Sequence, residues 1–419
     1  MLKILELFAG IGAASKALEN LGIEHEIVDA VEIDKYAMKA FNAIHGTNFE
    51  TQDITKWNKD IQCDLILHGS PCQDFSAAGL QAGGDKGSGT RSSLMYETLR
   101  IVEKLRPKYV IWENVKNLLS KKHRHNFDAY LEQMEKLGYQ NYYQVLNAKD
   151  YGVPQNRERV FTVSILGGEK FIFPETIPLE KKLKDVLEPE VDEKYYLDSR
   201  FDKLKMVNNN YGMMEGGVIG KMHDSSRRAY SFEYTYSNAR LREIERGHIK
   251  KQNKADNQVM STLKTNPQQI GVVVSNQGKN VDKTTDIATT IMARDYKGFG
   301  NQGMTGVCVP IKTANKKGYD LAENGDGIDL AYPDSKTRRG RVGHGIAKTI
   351  PTNNNQGVLD NYRIRKLTPR ECYRLMGFDD KDFEKASKEI SNTQLYKTAG
   401  NSIVVDVLMA IFGELFNGS

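Results

Sequence analysis

Cysteine is scarce in this chain: Cys63, Cys72, Cys308 and Cys372 are four residues scattered through 419. No two stand at C-x-x-C spacing, and the eight histidines form no ligand pattern beside them. A disulfide framework and a metal site are therefore not expected, which leaves open a cysteine used for its own chemistry. Long apolar runs are missing too. The nearest, residues 403–416, is broken by Asp406 and Glu414, so no membrane span is expected. The opening Met1-Leu2-Lys3-Ile4-Leu5-Glu6 runs straight into a strand-like alternation, without the basic head, apolar block and small-residue site of a signal peptide. The expected location is the cytoplasm.

What remains is an ordinary globular composition, 39% apolar and 27% charged, long enough for two or three packed domains. The net charge of +5 is unevenly spread: residues 221–350 hold 22 Lys and Arg against 13 Asp and Glu, so the rest is slightly acidic. A basic middle segment suits a polyanion, although a solvated basic face reads the same way.

Residues 1–165 alternate between strand and helix patterns. Strands are predicted at 4–8, 27–33, 64–68, 109–112, 143–146 and 159–165, with helices at 11–21, 36–44, 93–105 and 127–137. Crossovers of this length imply an α/β unit with a mostly parallel sheet. From about Phe171 short Thr/Val/Ile runs separated by Asn, Gly and Lys take over, with one charged helical candidate at 240–251. A weak repeat recurs at 260–263, 288–291 and 347–350, each followed by an Asn-rich loop and a Gly-Val pair (Gly271-Val272, Gly306-Val307, Gly357-Val358). Helical patterns return at 368–376 and 402–416, so both ends are expected to complete one domain around a β-rich insertion.

Several residues could carry chemistry. Phe8-Ala9-Gly10-Ile11-Gly12 sits where the first strand turns into the first helix, the general cofactor position in doubly wound folds, without being a G-x-G-x-x-G fingerprint. Glu32 ends the second strand, where a carboxylate can accept both hydroxyls of a ribose, and Asp53 could accept from an adenine amine. A tight turn and solvated strand ends are the plain alternatives. Cys72 lies in Gly69-Ser70-Pro71-Cys72-Gln73-Asp74-Phe75-Ser76 after the third strand, placed for attack rather than packed as a small hydrophobe. Glu113, directly after Val110-Ile111-Trp112, should be partly desolvated and fit for proton donation, or else an ion-paired strand end. In Gln155-Asn156-Arg157-Glu158-Arg159 the two arginines should point to one side and grip phosphate or a base carbonyl, if they are not edge-strand charge. In the basic segment, Lys297 and Arg338 are candidates for phosphate contact, and Asn353, Asn354 and Gln356 for reading base edges.

Taken in order, the F-A-G-I-G turn, Glu32, the P-C-Q block, Glu113-Asn114-Val115, the Q-x-R-x-R block and two C-terminal blocks (Leu367-Thr368-Pro369-Arg370-Glu371 and Gly400-Asn401-Ser402) resemble the DNA (cytosine-5) methyltransferase family. Glu6 stands where that family usually has Asp, and Ala13 where a third glycine often follows. The resemblance implies a doubly wound, mostly parallel-sheet S-adenosylmethionine-dependent methyltransferase fold. Residues 1–170 and 361–419 would form the catalytic and cofactor-binding domain, and 171–360 an inserted β-rich target-recognition domain. It implies methyl transfer from S-adenosylmethionine to carbon 5 of a cytosine flipped out of double-stranded DNA, with Cys72 as nucleophile, Glu113 as proton donor and Arg159 on the base carbonyl. Phe8, Gly10, Ile11, Gly12, Glu32, Ile33, Asp53, Ile54, Leu94, Asn401 and Ser402 match cofactor positions. Gln73, Ser76 and Arg157 fall to DNA contact. A monomer is implied, and a cognate restriction endonuclease stays an open partner. An RNA cytosine methyltransferase and a non-catalytic DNA-binding protein are the competing classes.

Overall fold

The structure is a computed structural model and describes residues 1–71, 75, 83–85, 87–196, 219–223, 229–233, 272–275, 305–353, 355–360 and 363–416. The helical candidate at 240–251 and the repeat segments at 260–263 and 288–291 lie outside them. The chain divides into two compact units, one of Met1–Glu188, Lys348–Asn354 and Thr368–Ser419, the other of Pro189–Ala347 and Asn355–Leu367.

The first unit is built on strands β1 (Leu2–Leu7), β2 (His25–Val31), β3 (Leu65–His68), β4 (Tyr109–Val115), β5 (Tyr139–Asn147), a short β6 (Gln155–Asn156) and β7 (Glu158–Leu166). Six of them form one sheet in the order β2-β1-β3-β4-β7-β5. The first four are parallel, and β7 runs antiparallel to both its neighbours. Helices α1 (Ala13–Asn20), α2 (Lys35–His45), α3 (Met95–Leu105) and α4 (Arg124–Lys136) supply the crossovers. β3 is buried along its whole length, as a central parallel strand covered on both faces must be. Leu5, Ile66, Ile101, Val110, Trp112, Phe127 and Tyr130 form the core beneath it. Because β1 pairs with both β2 and β3, the strand order reverses there. The carboxyl ends of these strands open the crevice where ligands of such folds bind.

Two differences from the sequence reading matter for the site. β4 continues through Val115 because β7 pairs with it as far as Val115 opposite Arg159, so Glu113 and Asn114 sit inside the ladder. After α5 (Pro369–Arg374), which a Thr368–Glu371 capping box starts, two unexpected helices follow, α6 (Asp380–Glu389) and α7 (Asn392–Asn401). Asp379 caps α6, whose only buried residues are Asp382, Phe383 and Ala386, too few for a clear apolar period. The closing helix α8 spans Val405–Phe416 and packs on α1. Together α7 and α8 are long and apolar enough to cross a bilayer, but half of that stretch is buried within the protein, as in a core helix.

The unit boundaries also differ from 170 and 361. Leu183 and Val186 are buried in the first unit, where Arg374 donates to the Val186 carbonyl at 3.0 Å, so this unit runs on to Glu188. Residues 348–354 return to it, tied by the Thr349 hydroxyl to the Asn156 carbonyl at 3.0 Å.

The second unit is antiparallel: a hairpin β8 (Ile219–His223) with β9 (Ala229–Glu233), a three-stranded sheet β10-β11-β12 and a four-stranded sheet β14-β13-β16-β17. Their ranges are Val272–Ser275, Thr305–Lys312 and Tyr319–Ala322 for the first sheet. For the second they are Val342–Gly343, Gly327–Asp329, Gln356–Asp360 and Arg363–Lys366 in sheet order; β15 (Ala347–Lys348) belongs to neither of these sheets. Val309, Ile311, Ile328, Leu330, Leu359 and Ile364 share one core.

Candidate functional site

At the carboxyl end of β3 the chain enters Gly69-Ser70-Pro71. Ser70 is buried and clamped by alternate residues of β4: the Trp112 indole N–H donates to its hydroxyl at 3.0 Å, and the Asn114 amide to its carbonyl at 3.2 Å. Cys72, Gln73 and Ser76 lie outside the described residues. Phe75, within the same motif, is buried edge-on to His123, and its carbonyl accepts from the Asn117 amide at 2.6 Å. Ser70 and Phe75, which stand on either side of Cys72 in the sequence, are thus both tied to the stretch 112–117. Below it, His68 stacks on Trp112 with centroids 5.6 Å apart and bonds the Tyr130 hydroxyl at 3.0 Å. Burial pushes His68 down to about 3, so it is a neutral prop.

Glu113 is buried, and its Oε1 meets Arg159 Nε at 3.0 Å. The register explains the reach: Glu113 faces Phe161 and Val115 faces Arg159, so the two charges form a diagonal pair on one face of the β4–β7 ladder. Glu113 Oε2 lies 3.8 Å from where a Cβ on Gly69 would stand, against the backbone three residues ahead of Cys72. Glu113 is thus ion-paired, and its carboxylate also lies against Gly69 at the end of β3.

The expectation that Arg157 and Arg159 share a side is corrected. The chain breaks between β6 and β7 at Arg157, whose N–H turns back to the Gln155 carbonyl at 3.1 Å. Only 4% exposed, Arg157 donates to the carbonyls of Ile350 (3.4 Å), Gly400 (3.2 Å) and Ser402 (2.8 Å), which leaves no face for DNA. Gln155 also points inward, donating to Leu375 O at 2.8 Å and accepting from Ile350 N at 3.2 Å. Gly400 lacks a side chain for the same reason: a Cβ there would come within 2.7 Å of the Pro351–Thr352 backbone. Three stretches far apart in sequence meet at this knot.

On the β1–β2 side, Phe8, Gly10 and Gly12 all take positive φ, a strained path for Phe8. The half-buried Glu32 carboxylate accepts from Gly10 N at 3.0 Å and Asp34 N at 2.8 Å. Burial raises its pKa, while those two N–H groups hold it down. A carboxylate has acceptor capacity beyond such bonds, which a diol can use. Ile33 beside it is 71% exposed, an apolar side chain left facing outward at a polar turn. Asp53 is partly exposed, its Oδ1 taken by the Thr55 hydroxyl and N–H, which lower its pKa, and its Oδ2 open. This set of acceptors, glycines and an exposed apolar side chain fits S-adenosylmethionine.

Other matched positions contribute differently. Ile11 and Ile54 are buried core side chains, so only their backbones can face a ligand, and Leu94 is partly buried against the core. Asn401 is exposed at the end of α7, while Ser402 is buried and spends its carbonyl on Arg157.

Two further residues shape this side of the site. His45 on α2 meets the Ile11 carbonyl at 3.0 Å, and a Cβ on Gly12 would fall 2.1 Å from its ring. Glu6, fully buried at the end of β1, accepts from the N–H and hydroxyl of Ser15 in the first turn of α1, and burial raises it to about 7.

The recognition candidates divide. Lys297 and Asn354 lie outside the described residues, and Asn353 is exposed in the first unit. Gln356 is corrected: it is buried in β16, its amide turned to the Asn355 carbonyl at 3.1 Å rather than outward. Arg338 is ion-paired with Asp329 at 2.6 Å, and its side chain is 37% exposed.

The family model described as C-5 cytosine-specific DNA methylase matches residues 2–417. The chain is 32% identical to the orphan methyltransferase M.SPRI of Bacillus phage SPR, over 99% of this chain and 98% of that one. It is 30% identical to the type II methyltransferase M.HhaI of Haemophilus parahaemolyticus, over 98% and 93%. In fold it is similar to the Entamoeba histolytica methyltransferase EhMeth (TM-score 0.55, 14% identity, 100% and 98% covered). The Schizosaccharomyces pombe Dnmt2 methyltransferase gives TM-score 0.50 at 18% identity, with 100% and 99% covered. The chain belongs to the C-5 cytosine-specific DNA methylase family, a methyltransferase acting on DNA with S-adenosylmethionine as its methyl donor.

Proposed function

We propose that this chain is a site-specific DNA (cytosine-5-)-methyltransferase in which Cys72, Glu113 and Arg159 carry the chemistry on a cytosine flipped out of duplex DNA. The observation that carries it is the Glu113–Arg159 pair, 3.0 Å apart and set against Gly69 in the cysteine segment. Carbon 5 of cytosine is a weak nucleophile. Addition of the Cys72 thiolate to carbon 6, with Glu113 delivering a proton to ring nitrogen 3, makes an enamine whose carbon 5 can attack. Arg159, on the same face, holds the base carbonyl and shares charge with Glu113. Loss of the carbon-5 proton then returns the electron pair that expels the thiolate, and ring nitrogen 3 gives its proton back to Glu113. S-adenosylmethionine supplies the methyl group and is held by Gly10, Glu32, Ile33 and Asp53.

On this reading the second unit is the target-recognition domain, and the enzyme works as a cytoplasmic monomer. A cognate restriction endonuclease is not required, since M.SPRI is itself described as an orphan. The test is radiolabelled methyl transfer to duplex DNA and to transfer RNA side by side, with adduct formation on DNA containing 5-fluorocytosine. Wild type should label DNA and be trapped; Cys72→Ser should do neither while still binding cofactor and DNA. An adduct that survives in Cys72→Ser, or labelling of RNA alone, would overturn the reading.

A further inference from the structure

In the second unit, residues 330–341 connect β13 to β14 through a loop whose shape is set from inside. Arg341 is fully buried and donates to the carbonyls of Asp329 (3.0 Å), Ala331 (2.8 Å) and Tyr332 (2.6 Å). Asp329 in turn accepts from Arg338 Nε at 2.7 Å and from Ala331 N at 3.0 Å. Ser335 N closes a turn on the Tyr332 carbonyl at 2.9 Å, with Pro333 at its first central position. This scaffolding holds Tyr332 outward. Tyr332 is 75% exposed and holds φ at +49°, a conformation that costs a bulky residue energy and persists only where its surroundings enforce it. Arg338, fixed by Asp329, lies 5.8 Å from the ring centroid. Lys336 and Arg339, further along the same loop, are exposed and without an ion pair among the described residues.

A strained, solvent-facing aromatic wastes both its apolar surface and its backbone energy unless something covers it. Cations on the same loop select an anionic partner with flat faces. We propose that residues 332–339 form a DNA-contacting loop in which Tyr332 packs against a base or deoxyribose and Lys336 and Arg339 meet phosphates. This rests on the reading of the second unit as the recognition domain.

The strain provides a test that separates function from folding. Glycine, and to a lesser degree asparagine, adopts a positive φ without Tyr332's penalty. Tyr332→Gly and Tyr332→Asn should therefore keep or raise the melting temperature. They should weaken binding to a short duplex carrying the site that wild type methylates by roughly tenfold or more, with cofactor affinity unchanged. Tyr332→Phe should bind as wild type, and Lys336→Ala with Arg339→Ala should flatten the salt dependence. Variants of Tyr332 that fold, bind the duplex and methylate the same sites as wild type would overturn the inference while leaving the methyltransferase reading intact. A wild type that transfers nothing to DNA would instead remove that reading, and this inference with it.

Discussion

The Trp112 indole N–H reaches the Ser70 hydroxyl at 3.0 Å, binding the strand that carries Glu113 to the segment that carries Cys72. Trp112→Phe keeps an aromatic in the core and removes only the donor. Misplacement of a reacting group by an ångström can cost about a hundredfold, so a kcat loss of roughly tenfold is expected. Cofactor affinity should not move. Ser70→Ala should give the same loss, and the double variant no more than either alone. Additive losses in trapping rate on 5-fluorocytosine DNA would show that the two residues act separately.

His45 reaches the cofactor turn from behind, through the Ile11 carbonyl. Burial pushes it down to about 4, so at neutral pH it is an uncharged donor at Nε2. Loss of one such bond is worth about 1 kcal/mol, or roughly fivefold. His45→Phe should raise the KM for S-adenosylmethionine by about that factor and leave kcat alone, with His45→Gln restoring part of it. A matched fall in kcat with unchanged KM would place His45 elsewhere in the cycle.

Glu6 makes stability depend on pH in a definite direction. Its folded pKa of about 7 lies above the usual 4.5 because the carboxyl is buried. Below 4.5 both folded and unfolded chains hold the proton, and the group contributes nothing. Between 4.5 and 7 the unfolded chain ionises first, so stability falls, by up to roughly 3 kcal/mol once pH passes 7. Glu6→Gln cannot ionise yet keeps an acceptor for Ser15. Its melting temperature should gain on wild type as pH rises from about 4.5 to 7 and hold that gain above. A constant offset across this range would mean that Glu6 keeps the same charge in both states.

Most of the first unit was legible because its signals are local. Parallel strands read as apolar runs, glycines mark the helix ends, and Glu32 falls where β2 stops. What stayed hidden depends on partners distant in sequence. β4 runs on to Val115 only because β7 pairs with it, and the strand break that turns Arg157 inward needs Gly400 and Ser402 to receive it. Gln356 looks like a surface reader in a polar, basic stretch, yet burial in β16 claims it. Composition cannot separate an amide that reads a base from one that closes a core.

Arg157 provides the sharpest contrast between these two kinds of residue. A phosphate contact would be replaceable by lysine in charge, and its loss would lower the slope of log affinity against log salt by about one. The observed guanidinium instead spans three carbonyls from two segments, a fork that a lysine ammonium cannot reproduce. Arg157→Lys should therefore destabilise the fold by roughly 3 kcal/mol, through carbonyls left unpaired in a buried site. Activity should fall on every sequence alike, and the salt slope of DNA binding by the folded fraction should stay at the wild-type value. Methylated-site patterns should also be unchanged, because the knot lies under the C-terminal block rather than in the second unit. If Arg157→Lys melts like wild type and loses one unit of salt slope, the arginine contacts DNA after all, and the knot has another origin.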